Sequence, residues 1–284
     1  MSVYLSLVVV VGLLAGRAVG QEAVGDPPGW RLVWADEFDY TGLPDPAKWD
    51  YEVGFVRNDE LQYYTKGRTE NVRVADGTLV IEGRKERFPN ETRDPKNWYK
   101  PRAERPHADY TSGSIHTHGK AAWRYGRIEV RAKLPQGRGV WPAIWLLGDN
   151  IGDVGWPKCG EIDVMEFVGK EPQTVHGTAH FHDRQTDKHK GVGGRTMVEA
   201  PLTDFHVYAA EWHTDRIDFF FDGRNYFTFD TGQAVQADGS NPFQRPFYLI
   251  LNLALGGSWG GEMDDAALPQ RFTVDYVRVY ERAP

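Results

Sequence analysis

Three carboxylates lie within six residues of one short apolar segment, Glu161-Ile162-Asp163-Val164-Met165-Glu166. In a β-strand, alternate side chains point to opposite faces, so Glu161 and Asp163 share a face and Glu166 points to the other. One extra residue, a β-bulge, would return Glu166 to the face of the other two acids, and bulges are over-represented beside active sites. Carboxyl groups that share a face can act as general acid, general base and nucleophile. The segment therefore predicts acid–base chemistry on a bulged strand.

Two other interpretations of this segment stay open. A solvent-facing edge strand would tolerate scattered acids, although strand interiors are depleted in Asp and Glu and neighbouring like charges destabilise a sheet. Three carboxylates also suit a Ca²⁺ or Mg²⁺ site. A regular sheet face, however, offers few backbone carbonyls to complete the coordination shell.

Strand signals continue on both sides of the acidic segment and through most of the chain. Asp76-Gly77 and Asp222-Gly223 separate alternating segments, as in β-hairpins. No convincing helical period is present, and many short strands at close spacing are typical of a sandwich or jelly roll. The strands are predicted at residues 71–74, 78–82, 127–133, 141–147, 161–168, 175–181, 206–212, 216–221, 226–229, 247–255 and 272–280, with exposed polar loops at residues 88–107 and 183–196.

Length, composition and charge narrow the class of protein. The 284 residues suit one large all-β domain, and residues 21–284 are predicted to form a single unit. A net charge of −7 argues against nucleic-acid and anionic-membrane partners, which favour clustered Lys and Arg. Aromatic residues make up 13% of the chain, and Trp and Tyr suit flat ligands such as sugar rings.

Residues 1–20 are predicted to be a secretory signal peptide. Their apolar run is too short to span a bilayer, and Ala18-Val19-Gly20 is a small-residue cleavage site. No Lys or Arg precedes the run, which departs from the usual pattern. We therefore expect a secreted protein, extracellular or periplasmic. The single cysteine, Cys159, excludes an intrachain disulfide and is predicted to be a buried small hydrophobe.

Six blocks of the sequence together resemble the sixteenth family of glycoside hydrolases, and within it the laminarinases (endo-1,3-β-glucanases). The acidic segment matches the bulged E-x-D-x-x-E signature of that family. The resemblance runs from residue 30 to residue 281 and implies a two-sheet β-sandwich jelly roll with a substrate cleft across its concave sheet. The other blocks are Asn58-Asp59-Glu60-Leu61-Gln62-Tyr63-Tyr64, Trp141-Pro142-Ala143-Ile144-Trp145-Leu146-Leu147-Gly148, His176-Gly177-Thr178-Ala179-His180, Asn252-Leu253-Ala254-Leu255-Gly256-Gly257-Ser258-Trp259 and Asp275-Tyr276-Val277-Arg278-Val279-Tyr280.

The resemblance implies hydrolysis of β-1,3-linked glucan with retention of configuration. Glu161 would be the nucleophile, and Glu166 would be the acid that later acts as base. Repulsion from Glu161 would raise the pKa of Glu166 and keep it protonated. Asp163 would hydrogen-bond the nucleophile and tune its charge.

Several binding residues also follow from the resemblance. Trp141 and Trp145 share a strand face and would stack on sugar rings, although tryptophans in a sheet are more often core residues. His180 would lie in the cleft near the acid, with a structural histidine as the alternative. The remaining expected residues are Asn58 and Arg84, as donors to glucose hydroxyls, and Trp259, as a wall of the cleft. A surface ion pair is the alternative for Arg84.

No cofactor is expected for catalysis, but many members of the family bind a structural Ca²⁺. The matching positions are Glu37, the carbonyl of Gly77, and Asp275, all oxygen ligands suited to Ca²⁺. We expect a monomer whose partner is a polysaccharide.

Two other functions compete with this one. A non-catalytic β-glucan recognition protein has the same type of sandwich but typically lacks the catalytic acids. An agarase or carrageenase shares the bulged signature, but sulfated polymers would favour a more basic cleft than this acidic chain suggests. Mixed-linkage β-glucanases typically have the shorter, unbulged signature.

Overall fold

The computed structural model describes residues 26–94, 102, 104–200 and 202–284. The predicted signal peptide lies outside the described residues and stays a prediction. Within them, the α-helices α1 (Ile151–Val154) and α2 (Gly257–Gly260) have four residues each. The strands are β1 (Trp30–Asp36), β2 (Asp50–Tyr51), β3 (Gln62–Tyr64), β4 (Val72–Ala75), β5 (Thr78–Pro89), β6 (His107–Ser112), β7 (Ser114–His116), β8 (Gly126–Lys133), β9 (Val140–Gly148), β10 (Glu161–Glu166), β11 (Thr174–Asp183), β12 (Lys188–Met197), β13 (His206–Trp212), β14 (Arg216–Phe221), β15 (Arg224–Asp230), β16 (Phe247–Leu255) and β17 (Gln270–Arg282).

The strands form two sheets, which confirms the predicted all-β sandwich with jelly-roll character. The larger sheet follows the order β15-β14-β13-β8-β17-β5-β6-β3, with β1 paired to β17 and β4 paired to β5. The smaller sheet follows the order β12-β11-β10-β9-β16-β7-β2. Strands distant in sequence therefore become neighbours, and the acidic strand β10 lies near the middle of the smaller sheet, between β9 and β11.

Apolar side chains from both sheets fill the space between them. Ile144 and Leu146 on β9 belong to the same buried cluster as Val130 on β8 and Val277 on β17. On β9 the alternate residues point the other way, and Trp145 joins a second buried cluster on the outer face of the smaller sheet. Because both faces of β9 and β16 are covered, every residue of these two strands is buried.

Both predicted Asp-Gly hairpins are present. Asp76 and Gly77 join β4 to β5, and Asp222 and Gly223 join β14 to β15, with positive φ at all four residues. Two consecutive residues with positive φ match the right-handed twist of the flanking strands, which explains the Asp-Gly pairs.

One predicted loop is wrong. Residues 188–197 form β12, which pairs with β11 in unbroken register from Thr174↔Met197 to Asp183↔Lys188. β12 is an edge strand, so most of its side chains are exposed and no apolar alternation marks it in the sequence. Its three glycines, Gly191, Gly193 and Gly194, also weaken the strand signal in the sequence because Gly is depleted in strands. At the ends of the predicted loop 88–107, β5 continues to Pro89 and β6 begins at His107. Residues 95–101 and 103 of that loop lie outside the described residues.

No helix among the described residues has the length and apolar character needed to cross a membrane.

Candidate active site

The predicted bulge is present in β10. Its pairing with β9 runs from Glu161↔Leu147 to Asp163↔Trp145 and then shifts, so that Met165 lies opposite Ile144 and Glu166 opposite Ala143. The pairing with β11 shifts in the same interval. Val164 and Met165 are both buried in the core between the sheets. The extra residue therefore returns Glu166 to the face that holds Glu161 and Asp163.

The three acids line one cavity of about 450 Å³ on the outer face of the smaller sheet. Aromatic and polar side chains surround them, from β9, from β16 and from the segment before β3. The other lining residues are Glu52, Val56, Arg57, Asn58, Glu60, Trp141, Trp145, Leu147, Ile151, Trp156, Tyr248 and Asn252.

Of the three acids, Glu161 has the most neighbours that favour its charged form. Trp156 donates its indole N–H to Glu161 Oε2 at 2.9 Å, and His180 Nε2 lies 3.8 Å from Oε1. Burial, followed by repulsion from Asp163, nevertheless raises the pKa of Glu161 to about 8, and the His180 and Trp156 contacts oppose this rise.

Asp163 lies between the two glutamates and is only 2% exposed. His180 Nε2 lies 3.0 Å from its Oδ2, although the pair is not aligned as a hydrogen bond and Oδ2 has no hydrogen-bond partner. Burial raises the pKa of Asp163 to about 8, and a hydrogen bond with Glu161 opposes the rise.

Glu166 is the acid most strongly biased towards its protonated form. Trp141 donates its indole N–H to Glu166 Oε1 at 3.0 Å. Burial, then repulsion from Asp163 and Glu161, raises the pKa of Glu166 well above its usual value. The Trp141 contact and His180 oppose this rise, so burial and the two acidic neighbours are what favour the protonated form of Glu166.

Three of the predicted binding residues line the cavity: Asn58, Trp141 and Trp145. The Trp145 indole N–H donates to Asn252 Oδ1 at 2.8 Å, and the Arg57 guanidinium lies 4.8 Å from the centre of the Trp145 ring. Trp259, on α2, lies beside the cavity and contacts Trp141 edge-on, with 5.5 Å between ring centroids.

One expected placement, that of Arg84, needs correction. Arg84 does not line the cavity: it lies on β5 in the larger sheet, ion-paired with Glu82 and 3.7 Å from Glu86. These contacts agree with the alternative expected for Arg84, an ion-pair residue. His180 lies opposite Glu161 in the β10–β11 pairing. Its Nε2 contacts Asp163 and Glu161, and it also opposes the raised pKa of Glu166, as expected for a histidine near the acids.

Sequence reasoning missed several residues of the cavity. Trp156, which is 48% exposed, offers an accessible aromatic face beside Glu161. Arg57 and Glu60 flank the predicted Asn58, and buried Glu60 accepts hydrogen bonds from Gln62 and Tyr64. The matching blocks around Asn58 and Asn252 were the available signal for most of these residues. Nothing in the sequence marked Trp156, which lies in the turn before β10.

Cys159 lies two residues before the start of β10 and is fully buried, as predicted. Burial raises the pKa of its thiol to about 11. The thiol is therefore protonated and unreactive at neutral pH.

The structural Ca²⁺ stays a prediction. Along one edge of β17, β5 pairs with its first half and β1 with its second half, so Gly77 and Glu37 flank the stretch that holds Asp275. This placement fits a cation site built from oxygen ligands. Arg278 donates to both carboxylate oxygens of Glu37 at 2.8 Å, and Arg131 donates to Asp275 Oδ2 at 2.6 Å. A bound cation would share these carboxylates with the two arginines.

The cavity of this β-sandwich holds neighbouring buried carboxyls and aromatic side chains. These are the groups that glycosidases with two catalytic carboxyls use. The sequence profile of Glycosyl hydrolases family 16 matches residues 59–278, and the chain belongs to this family.

Individual relatives agree with this assignment. A Beta-glucanase from Rhodothermus marinus is 47% identical over 277 residues, which cover 94% of this chain and 91% of the relative. The Glucan endo-1,3-beta-glucosidase A1 of Niallia circulans is 39% identical, over 89% of this chain and 38% of the relative. The crystal structure of the laminarinase from Rhodothermus marinus is similar with a TM-score of 0.77 at 45% identity, over 90% of this chain and 98% of that one.

Proposed function

We propose that this protein is a secreted endo-acting glycosidase that hydrolyses β-1,3-linked glucan with retention of configuration. The main observation is that the bulge in β10 presents Glu161, Asp163 and Glu166 to one cavity. The β-glucanase and endo-1,3-β-glucosidase relatives support the choice of substrate.

In the first step, the Glu161 carboxylate attacks the anomeric carbon while Glu166 donates its proton to the glycosidic oxygen. The bond to the departing chain breaks, and an ester forms between the sugar and Glu161. Glu166, now a carboxylate, then takes a proton from water. That water attacks the anomeric carbon and releases Glu161.

The hydrogen bonds of the site fit the roles proposed for Glu161 and Glu166. The Trp156 N–H contact favours the charged form of Glu161. After the first step, the Trp141 N–H contact stabilises the newly formed carboxylate of Glu166. The tryptophan rings and Tyr248 supply flat surfaces for glucose rings.

The charges in the cavity favour a neutral polymer. Among the described residues that line it, five are acidic and one, Arg57, is basic. A sulfated galactan would meet electrostatic repulsion there. A purely glucan-binding role would leave the raised proton affinity of Glu166 without a use, since a binding protein does not need a buried acid.

The test is incubation with laminarin, lichenan, agarose and carrageenan, followed by sizing of the products. We expect rapid conversion of laminarin to short oligosaccharides and slow or no attack on agarose and carrageenan. Faster cleavage of agarose than of laminarin would contradict the proposed substrate.

Glu161→Gln and Glu166→Gln serve as controls in the same assay. Both variants should remain folded. Activity on laminarin should fall by about 10²–10⁴-fold in Glu166→Gln and by more in Glu161→Gln. On a glycoside with a good leaving group, Glu166→Gln should recover much of the loss, because that group needs little protonation. Glu161→Gln should not recover.

A further inference from the structure

The edge strand β12 places a second histidine beside the catalytic acids. His189 Nε2 lies 2.8 Å from His180 Nδ1, and the ring centroids are 5.0 Å apart with 29° between the planes, so the two rings meet edge to edge. On its far side, His180 Nε2 lies 3.0 Å from Asp163 Oδ2 and 3.8 Å from Glu161 Oε1. His189 is therefore one hydrogen bond away from the side chain that faces both carboxyls.

His189 also supports the other neighbour of Glu161. The Trp156 ring packs on the His189 ring, with 4.5 Å between centroids and 38° between planes. The same Trp156 donates to Glu161 Oε2. Two of the three groups that favour the negative charge on Glu161, His180 and Trp156, thus contact His189.

The backbone of β12 leaves space for this arrangement. Gly191 lies opposite His180 in the β11–β12 pairing. A Cβ at Gly191 would lie 2.8 Å from both Cε1 and Nδ1 of His180. Any larger residue there would push the His180 ring away from its contact with His189.

We propose that His189 is a positioning residue: its Nε2–H donates to His180 Nδ1, which holds the His180 proton at Nε2, facing Asp163 and Glu161. The protonated nitrogen of a neutral histidine is set by the hydrogen bond that the other nitrogen makes. A donor at Nε2 favours negative charge on the carboxyls that it faces. This role rests on the proposed function, because it acts through the ionised nucleophile.

His189 lies between Lys188 and Lys190 on β12. His182 lies opposite it on β11 and contacts Asp187 and Gln236, away from the acids. Burial and the neighbouring His180 lower the pKa of His189. His189 is accordingly neutral at neutral pH and makes its contact with His180 as an uncharged ring.

Two substitutions separate the hydrogen bond of His189 from its packing. His189→Phe keeps a ring beneath Trp156 and removes the hydrogen bond, whereas His189→Gln keeps a polar group and removes the ring. The measurement is kcat/KM on laminarin as a function of pH, which reports ionisations of the free enzyme. We expect the acid limb of His189→Phe to move to higher pH by about 0.5–1 pH unit, the equivalent of one hydrogen bond. His189→Gln keeps the donor and loses only the packing against Trp156, so its acid limb should move less than that of His189→Phe. His182→Phe serves as the matched control.

A second readout does not depend on activity. In ¹⁵N-histidine NMR spectra, His180 should show its proton at Nε2 in the wild type and in His189→Gln, and should lose that preference in His189→Phe. An unchanged acid limb in His189→Phe, or an equal shift in both variants, would overturn the proposal. A His180 proton at Nδ1 in the wild type would overturn it as well. If the wild type left every glucan intact, the proposed function would fail, and the NMR result would still decide the hydrogen bond.

Discussion

At the level of single residues, the three acids differ in the donor that each one contacts. Trp156 donates to Glu161, Trp141 donates to Glu166, and Asp163 lies between the glutamates beside His180. Because no arginine or lysine pairs directly with these carboxyls among the described ion pairs, burial is the largest cause of the raised pKa of each, and repulsion between carboxyls adds to it at Glu161 and Glu166. Asp163 is central because, after burial, its repulsion is the largest cause of the raised pKa of Glu166.

We expect Asp163→Asn to lower the pKa of Glu166, because it removes this repulsion. A carboxyl with a lower pKa loses its proton at lower pH, so the alkaline limb of the kcat/KM profile on laminarin should move to lower pH. Activity at the optimum should fall by about 10-fold, less than in either glutamate variant. Asp149→Asn, which removes an exposed charge just after β9, is the control. An alkaline limb that stays in place or moves to higher pH would contradict this assignment of Glu166.

At the level of elements, alternation in the sequence predicted the central strands best. The bounds of β13, β14 and β16 are as predicted, because their side chains pack in the core or on a covered sheet face. β12 was missed because an edge strand rich in glycine has no buried face to mark it. The bulge in β10 was predictable because three acids on one face require an extra residue between Asp163 and Glu166.

Deletion of Met165 tests the bulge directly. Val164 would then lie opposite Ile144, and the glutamate would still lie opposite Ala143, so all three acids should keep one face. Loss of the buried Met165 side chain should lower the free energy of unfolding by about 2–5 kcal/mol. A displaced acid should lower kcat/KM by roughly 100-fold. Thermal unfolding and laminarin assays measure both effects, and wild-type activity or failure to fold would contradict the geometry.

At the level of the whole molecule, the cavity joins segments that are far apart in the sequence. Asn58 precedes β3, Trp145 is on β9, Trp156 is in the turn before β10, and Asn252 is on β16. Sequence patterns identified the acids and two of the tryptophans because these residues share short strands. They could not give the pairing of β9 with β16 or the position of Trp156, since both depend on long-range packing. For the same reason, Arg84 was placed in the cleft although β5 lies in the other sheet.

The central claim is that Glu161 is the nucleophile of a retaining enzyme. A 2-deoxy-2-fluoro glycosyl fluoride of a β-1,3-linked glucose disaccharide tests it most directly. Fluorine at C2 destabilises the oxocarbenium-like transition states of both steps, while the fluoride leaving group keeps the first step fast, so the ester accumulates. Mass spectrometry should find one fluorinated disaccharide per protein, attached to the peptide at Glu161. Attachment at Glu166 or Asp163, or an unlabelled enzyme that cleaves laminarin with inversion, would contradict the account.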